Sequence, residues 1–384
     1  MKRIGIFGGT FDPVHNSHVA LARAAIKELD LDELFVVPTF APPHKDGAAA
    51  SEENRFNMLS VAFSGEEKIK ISNYELKRGG VSYTYLTVEH FKSVYGGEIY
   101  FLVGADMLSD FKTWKYPERV LSACTLAAVK REGFSAGEEN ALHADFIKRY
   151  GKDFISLSFT GEGVSSTKIR VYSFLGLSLK NLVPEKVAEY ITQNNVYPGN
   201  EITEYLKKEL PEKRLIHTAC VASTAVGKAK ELGLKRSKVL TAALLHDCAK
   251  YLNPADFKGF KLPEGVPAPV VHQYLGAYVA ENVLNVKDEE VLGAIRFHTS
   301  GKPNMTTLEK LIFVADMVEE GRNYEGVDKL RDLFKKDFNE CFKECLKEET
   351  LHLMRRGGSI YSLTLDAYDY YINENDKTTQ GEKE

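Results

Sequence analysis

Only one tryptophan and five cysteines occur among the 384 residues, and no apolar run approaches the length of a membrane span. The cysteines (Cys124, Cys220, Cys248, Cys341 and Cys345) form no Cys-x-x-Cys pair, which excludes the usual zinc and thioredoxin-type spacings and a disulfide framework. Cys341 and Cys345 stand one helical turn apart, a spacing that suits packing. The N-terminal stretch MKRIGIFGGTFDP is too short and too glycine-rich in its apolar part for a secretory segment. Charge of one sign is missing as well. Against 50 Lys and Arg stand 54 Asp and Glu, a formal net charge of −4, so no global basic field recruits a nucleic acid polymer or a membrane. No internal repeat is found. The expectation is a reduced, cytoplasmic protein whose partners are small molecules held by local groups, with a homo-oligomer left open.

The composition, 43% apolar and 27% charged, supports a globular protein, and the length favours two cores over one. Short β-rich runs at 3–7, 33–38, 68–73, 98–103, 125–130 and 154–158 alternate with helical periodicity, as at 19–29 and 82–95. That alternation predicts an α/β doubly wound parallel sheet with its ligand at the carboxyl ends of the strands. Asn194-Asn195 and Tyr197-Pro198-Gly199-Asn200 then make a turn-rich break. Beyond it the pattern is helical throughout, over 202–210, 213–232, 237–252, 273–284, 288–297, 307–321 and 324–354, which predicts an all-α domain. The expected boundaries are 1–197, a linker at 198–203, a helical domain at 204–372 and a polar tail at 373–384.

The first strand runs into Gly8-Gly9-Thr10-Phe11-Asp12-Pro13-Val14-His15-Asn16-Ser17-His18. Glycines at such a turn let backbone N–H groups approach a phosphate. His15 and His18 share a face of the following first helical turn, where they suit charge that builds on a triphosphate during nucleotidyl transfer. One substrate phosphate attacks another there, so the protein needs no nucleophile of its own. Ser166, Thr167 and Arg170, in Val164-Ser165-Ser166-Thr167-Lys168-Ile169-Arg170, offer a capped helix start and a cation for phosphate.

These two elements resemble the HxGH and ISSTxIR signatures of the nucleotidyltransferase superfamily, with Ser17 in place of the usual glycine. Pro42-Pro43-His44-Lys45, Glu75 to Arg78, Ser82-Tyr83-Thr84, Leu102 to Met107 and Trp114 extend the resemblance, over residues 1 to about 197, to nicotinate mononucleotide adenylyltransferases. The resemblance implies ATP with Mg2+ and nicotinate mononucleotide as ligands. It implies that Gly8, Gly9, Thr10 and Phe11 line the nucleotide site, that Lys45 meets the mononucleotide phosphate and that backbone at Thr84 meets the nicotinate carboxylate. Trp114 would stack on the pyridine ring, while Gly104 and Asp106 would contact adenosine. A lone Trp in the core is the rival reading.

In the helical half, Ala242-Ala243-Leu244-Leu245-His246-Asp247 places two metal-capable side chains in the most apolar stretch, where a buried carboxylate needs a partner. His217, His272, His298 and Asp316 come from other apolar helical segments. Mixed imidazole and carboxylate donors suit iron or manganese, zinc not excluded, and metal-assisted phosphoester or phosphoanhydride hydrolysis. The order His, His-Asp, Asp resembles the HD phosphohydrolase superfamily. HTACVA, ALLHDCAK, RFHTSGKPNM and FVADMVEEGR resemble its symmetrical diadenosine tetraphosphate hydrolases. That resemblance implies a metal core of His217, His246, Asp247 and Asp316. It implies a phosphate site at His272, His298, Thr299 and Arg322, or a second metal at the two histidines, with Lys250 neutralising phosphate. It also implies closure over the nucleoside by Tyr361 to Thr364, and a dinucleoside polyphosphate as substrate. A different nucleotidase and a nucleotide-sensing module remain the alternatives for this half.

Overall fold

The computed structural model describes all residues except 42–47, 105, 106, 109, 131–135, 160–162, 358, 359 and 374–384. Lys45 and Asp106 therefore lie outside the described residues, as does all but the first residue of the expected polar tail.

The chain divides into two compact units, residues 1–170 with 179–198, and residues 171–178 with 199–384. In the first unit, β1 (Arg3–Gly9), β2 (Glu33–Pro38), β3 (Ile69–Ile71), β4 (Glu98–Val103), β5 (Thr125–Val129) and β6 (Ile155–Leu157) form one sheet. The strand order is β3-β2-β1-β4-β5-β6, and every pairing is parallel. The helices are α1 (Asn16–Glu28), α2 (Glu52–Ala62), α3 (Tyr74–Arg78), α4 (Thr84–Tyr95), α5 (Pro117–Ala123), α6 (Ala136–Tyr150), α7 (Ser166–Phe174) and α8 (Glu185–Gln193). Neighbouring strand residues such as Val36 and Val37 are both fully buried, so both faces of the sheet are covered and the strands read as continuous apolar runs. The doubly wound α/β expectation holds. The order reverses between β1 and β4, which opens the crevice over the carboxyl ends where Gly8, Gly9 and Gly104 lie. Edge strands β3 and β6 are shorter than the runs that suggested them, as edges commonly are.

The second unit is helical, with α9 (Glu201–Glu209), α10 (Glu212–Ala229), α11 (Arg236–Leu245), α12 (Val271–Asn282), α13 (Glu289–Arg296), α14 (Thr307–Val318), α15 (Val327–Lys336), α16 (Phe338–Arg355) and α17 (Ser362–Tyr368). No strand occurs in it among the described residues, as the periodicity predicts. Local chemistry marks the starts: Thr306 and Glu309 form a capping box on α14, and Asn200 caps α9.

Three expectations change. The single helix over 324–354 is two, because Asp337 leaves helical geometry and its side chain accepts from the Glu340 N–H, capping α16. The helix expected to run to Leu252 ends at Leu245, which puts His246 and Asp247 in the turn that follows. The expected domain limits also shift. Val171, Leu175 and Leu177 are buried in the same apolar core as Leu206, Leu215 and Leu244, so this short segment belongs to the helical unit, and α9 starts inside the expected linker.

A fragment beginning at Gly199 lacks those three buried side chains. Each contributes about 1.5 to 3 kcal/mol on burial, together about 4.5 to 9 kcal/mol as an upper estimate. Its calorimetric melting transition should lie clearly below that of the helical unit in the full chain, and equal transitions would show that residues 171–178 add nothing to this core.

Candidate active sites

In the α/β unit, β1 delivers Gly8 and Gly9 to the crevice. A Cβ on Gly9 would lie 2.9 Å from the Phe11 ring, and one on Gly8 3.1 Å from Phe101, so any larger residue in the turn would have to displace those rings. Phe11 takes the left-handed conformation at φ 48°. His15 caps α1 and His18 occupies its first turn, their rings stacked with centroids 3.6 Å apart. The His15 backbone N–H donates to His18 Nδ1 at 3.2 Å. With Nδ1 accepting, the proton of a neutral His18 sits on Nε2. Burial lowers the His15 pKa to about 4, so its ring is neutral at pH 7. Ser17 lies inside α1 and needs no positive φ, so its replacement of glycine costs no backbone strain.

The Ser166–Arg170 segment is tied to the same turn. Ser165 Oγ accepts from the Lys168 N–H at the start of α7, Ser166 Oγ donates to the Pro13 carbonyl, and Arg170 Nη1 donates to the Asp12 carbonyl at 2.5 Å. Arg170 Nη2 reaches Thr167 Oγ1 at 3.2 Å. Thr84 opens α4, a helix start whose first N–H groups have no acceptor within the helix. Trp114 is half-buried, edge-on to Phe101 and packed against the sheet core, which satisfies the core reading without hiding the whole ring.

Sequence reasoning passed over Asp12, Arg55 and Tyr197. The buried Asp12 carboxylate accepts from the N–H groups of Ala49 and Ala50 at 2.8 and 3.0 Å and from the Tyr197 hydroxyl at 2.8 Å. Arg55, 1% exposed, donates to the Thr10 carbonyl at 2.9 Å. Asp12 was visible in the motif, but its partners lie far along the chain.

In the helical unit, His217 on α10, the turn after α11, His272 on α12, the turn after α13 and Asp316 on α14 converge. His246 Nδ1 donates to the Ala243 carbonyl at 2.7 Å and His298 Nδ1 to the Ile295 carbonyl at 2.8 Å. Both rings thus present Nε2 as a lone pair to the centre. His217 Nε2 lies 3.3 Å from His246 Nε2 and 3.0 Å from Asp316 Oδ1. His272 and His298 face each other through Nε2 at 3.2 Å.

Asp247, 2% exposed, stands between these pairs. Its Oδ2 accepts from Arg214 at 2.8 Å and faces His246 and His217 at 3.6 and 3.9 Å. Its Oδ1 lies 3.2 Å from His272, 3.3 Å from Lys250 and 3.5 Å from His298, yet has no hydrogen bond among the described residues. Donors about 2.1 Å from one cation stand about 3.0 to 3.4 Å apart. A buried, unbonded carboxylate oxygen among imidazole lone pairs at such spacings fits a cation. The donors His217, His246 and Asp247, and again Asp247, His272 and His298, are mutually close enough to hold one each.

Burial lowers the His246 pKa to about 3 and also lowers that of His272. Burial alone would raise the Asp247 carboxyl, but the surrounding histidines hold it below the usual carboxylate range. For Asp316, burial is outweighed by His217 and Arg322, whose guanidinium bonds its carboxylate. Lys250 Nζ reaches His272 Nε2 at 3.0 Å, and Thr299 Oγ1 lies 3.2 and 3.0 Å from His272 and His298. The fully buried Gln273 accepts from the N–H groups of Thr299 and Ser300 and holds that loop. Tyr361 pairs its hydroxyl with Tyr274 at 2.9 Å, whereas Thr364 is 2% exposed and sits inside the unit. Arg214, Gln273 and Glu319 were missed, since an isolated Arg, Gln or Glu in a helical pattern carries no signal.

Residues 6–171 match the cytidylyltransferase-like family and residues 214–321 the HD domain family. A Mycoplasma pneumoniae protein named "Probable nicotinate-nucleotide adenylyltransferase/Ap4A hydrolase" is 31% identical over 354 residues, 89% of this chain and 97% of that protein. The chain belongs to this nicotinate-nucleotide adenylyltransferase/Ap4A hydrolase family. A Clostridium tetani protein named "Probable nicotinate-nucleotide adenylyltransferase" is 38% identical over 199 residues, 51% of this chain and 100% of its own length. A crystal structure from Clostridium acetobutylicum, described as a "predicted HD superfamily hydrolase involved in NAD metabolism", aligns at 35% identity with a TM-score of 0.43 over 45% of this chain and 96% of its own. Family membership makes the chain an enzyme, a nucleotidyltransferase fused to an HD hydrolase, and the HD fold is a metal-dependent hydrolase fold.

Glu75 on α3 gives a pH signature. It is 4% exposed, and burial raises its pKa against the hydrogen bond from Thr87, whose Oγ1 donates at 2.5 Å. A raised folded pKa means the contribution is full below the unfolded pKa, about 4.3, and is lost as pH rises through the folded value. Relative to wild type, Glu75→Gln should therefore gain melting temperature as pH rises from 4 to 7. A difference that stays constant across that range would contradict the assignment.

Proposed function

We propose that the α/β unit transfers the adenylyl group of ATP to nicotinate mononucleotide, giving deamido-NAD and pyrophosphate, with Mg2+ accompanying ATP. We propose further that the helical unit hydrolyses diadenosine tetraphosphate to two ADP with iron or manganese. The observation that carries both halves is the match to a two-activity relative across 89% of the chain, and the clustered His and Asp donors of the helical unit support the second.

In the first reaction a phosphate oxygen of the mononucleotide bonds to the α-phosphorus of ATP while the bond to the β-phosphate oxygen breaks. The backbone of Gly8 to Phe11 supports the triphosphate, and His18 Nε2–H and neutral His15 donate to oxygens that gain charge. Ser166, Thr167 and Arg170 hold the leaving phosphates, and Lys45 holds the mononucleotide phosphate. Thr84 and Trp114 select the nicotinate ring, while Gly104 and Asp106 contact adenosine.

In the second reaction water adds to a central phosphorus and the middle P–O–P bond breaks. His217, His246, Asp247 and Asp316 would hold a metal, and Asp247, His272 and His298 a second metal or a substrate phosphate. A metal in such a site lowers the pKa of water and polarises a phosphate. Lys250 and Arg322 offset the charge on the departing ADP, Thr299 offers a hydroxyl to phosphate, and Tyr361 with Thr364 borders the nucleoside end. No helix among the described residues is long and apolar enough to cross a membrane. The proposed setting is cytoplasmic, in keeping with five buried cysteines held as thiols.

His18→Ala should lower kcat for adenylyl transfer by about 10²-fold or more, the typical cost of one transition-state donor. Near-full activity would remove His18 from that role, and equal use of nicotinamide mononucleotide by wild type would overturn the nicotinate assignment.

Asp247→Ala should abolish hydrolysis and lower bound metal while adenylyl transfer persists. Chromatography of the wild-type products decides the bond broken: ATP with AMP would overturn symmetric cleavage, and a metal-free, inactive helical unit would favour a sensing module.

A further inference from the structure

Glu319 lies just beyond α14, with a side chain 3% exposed. Its Oε1 lies 3.1 Å from His217 Nδ1, and its Oε2 accepts from the Gly321 N–H at 2.5 Å. A buried carboxylate on Nδ1 of an imidazole draws the ring proton to that nitrogen and leaves Nε2 as a lone pair. His217 Nε2 is the atom that faces Asp316 and His246. His246 and His298 obtain the same tautomer from backbone carbonyls. His217 lies inside α10, and its Nδ1 faces the Glu319 side chain in place of a carbonyl.

The same carboxylate shapes the next turn. Arg322 Nε donates to the Asp316 carbonyl at 2.7 Å, its Nη2 bonds the Asp316 carboxylate, and its Nε lies 3.8 Å from Glu319 Oε1. The fit is close: a Cβ on Gly321 would stand 3.0 Å from Glu319 Oε2. Glu319 therefore braces two groups at once, the ring of His217 and the turn that presents Arg322 to Asp316.

We propose that Glu319 is a positioning residue of the metal centre, fixing the His217 tautomer and raising the affinity of the site for a divalent cation without touching the cation itself. The inference rests on the metal-centre reading above. The test uses the full chain, stripped of metal and titrated with Mn(II) alone, the free ion being read by electron paramagnetic resonance and the fold by its melting temperature. Glu319→Leu, close in size but unable to accept a hydrogen bond, should weaken Mn(II) binding about 10- to 100-fold, the usual loss when an outer partner of a ligand is removed. Glu319→Gln, which keeps an acceptor oxygen for His217, should recover part of that loss. Wild-type affinity in Glu319→Leu overturns the proposal. Should that variant not fold, Glu319→Ala, which also removes the acceptor, decides, and an affinity equal to wild type overturns the proposal. A wild-type chain that takes up no Mn(II), even under saturating ion, overturns the metal-centre reading together with this inference.

Discussion

The helical unit is organised around a carboxylate that cannot be left alone. Asp247 is 2% exposed, and a bare charge at that depth would cost several kcal/mol. Arg214, Lys250, His217, His246, His272 and His298 meet that demand from α10, α12 and the turns after α11 and α13, each approaching one of two oxygens. Helices α10, α11, α12 and α13 must all be in place before the charge is matched. The two oxygens face different nitrogen pairs, so one residue joins two donor groups. Removing it leaves four imidazoles and two cations without a common anion.

Two of the imidazoles are placed by the same device. His246 follows α11 and His298 closely follows α13, and each returns its Nδ1 to the carbonyl three residues earlier. A helix end has unsatisfied carbonyls, and a histidine there both satisfies one and aims its other nitrogen inward. The α/β unit reaches a similar end by other means. Asp12 draws in backbone N–H groups before α2 and the Tyr197 hydroxyl, while its carbonyl takes Arg170, so one residue of the turn ties three distant segments.

Much of this was legible in the sequence, for physical reasons that differ by element. Parallel strands buried on both faces write themselves as apolar runs, so β1, β2 and β4 stood out, whereas the three-residue edges β3 and β6 were overdrawn. Adjacent His246 and Asp247 in an apolar stretch were conspicuous because burial there is costly. Asp337 was not, since a cap inside a long amphipathic pattern looks like one more polar position. Asp12, Arg55, Arg214, Gln273 and Glu319 act through partners many residues away, and no local spacing encodes such pairs. The helical identity of 171–178 was hidden likewise, because Val171, Leu175 and Leu177 continue the pattern of an α/β helix.

The pairing of Asp12 with Tyr197 sets an order on synthesis. Domains fold as the ribosome releases them, amino-terminal first. Here the Asp12 carboxylate, near the start of the chain, gains its hydrogen bond from Tyr197 only when that residue, almost at the end of the unit, has emerged. By then residues 171–178 are already outside the tunnel, while the helices they pack with have yet to be made. For that interval Val171, Leu175 and Leu177 await the helical residues of their apolar core. The enzyme's first half is thus finished late, and its second half begins early.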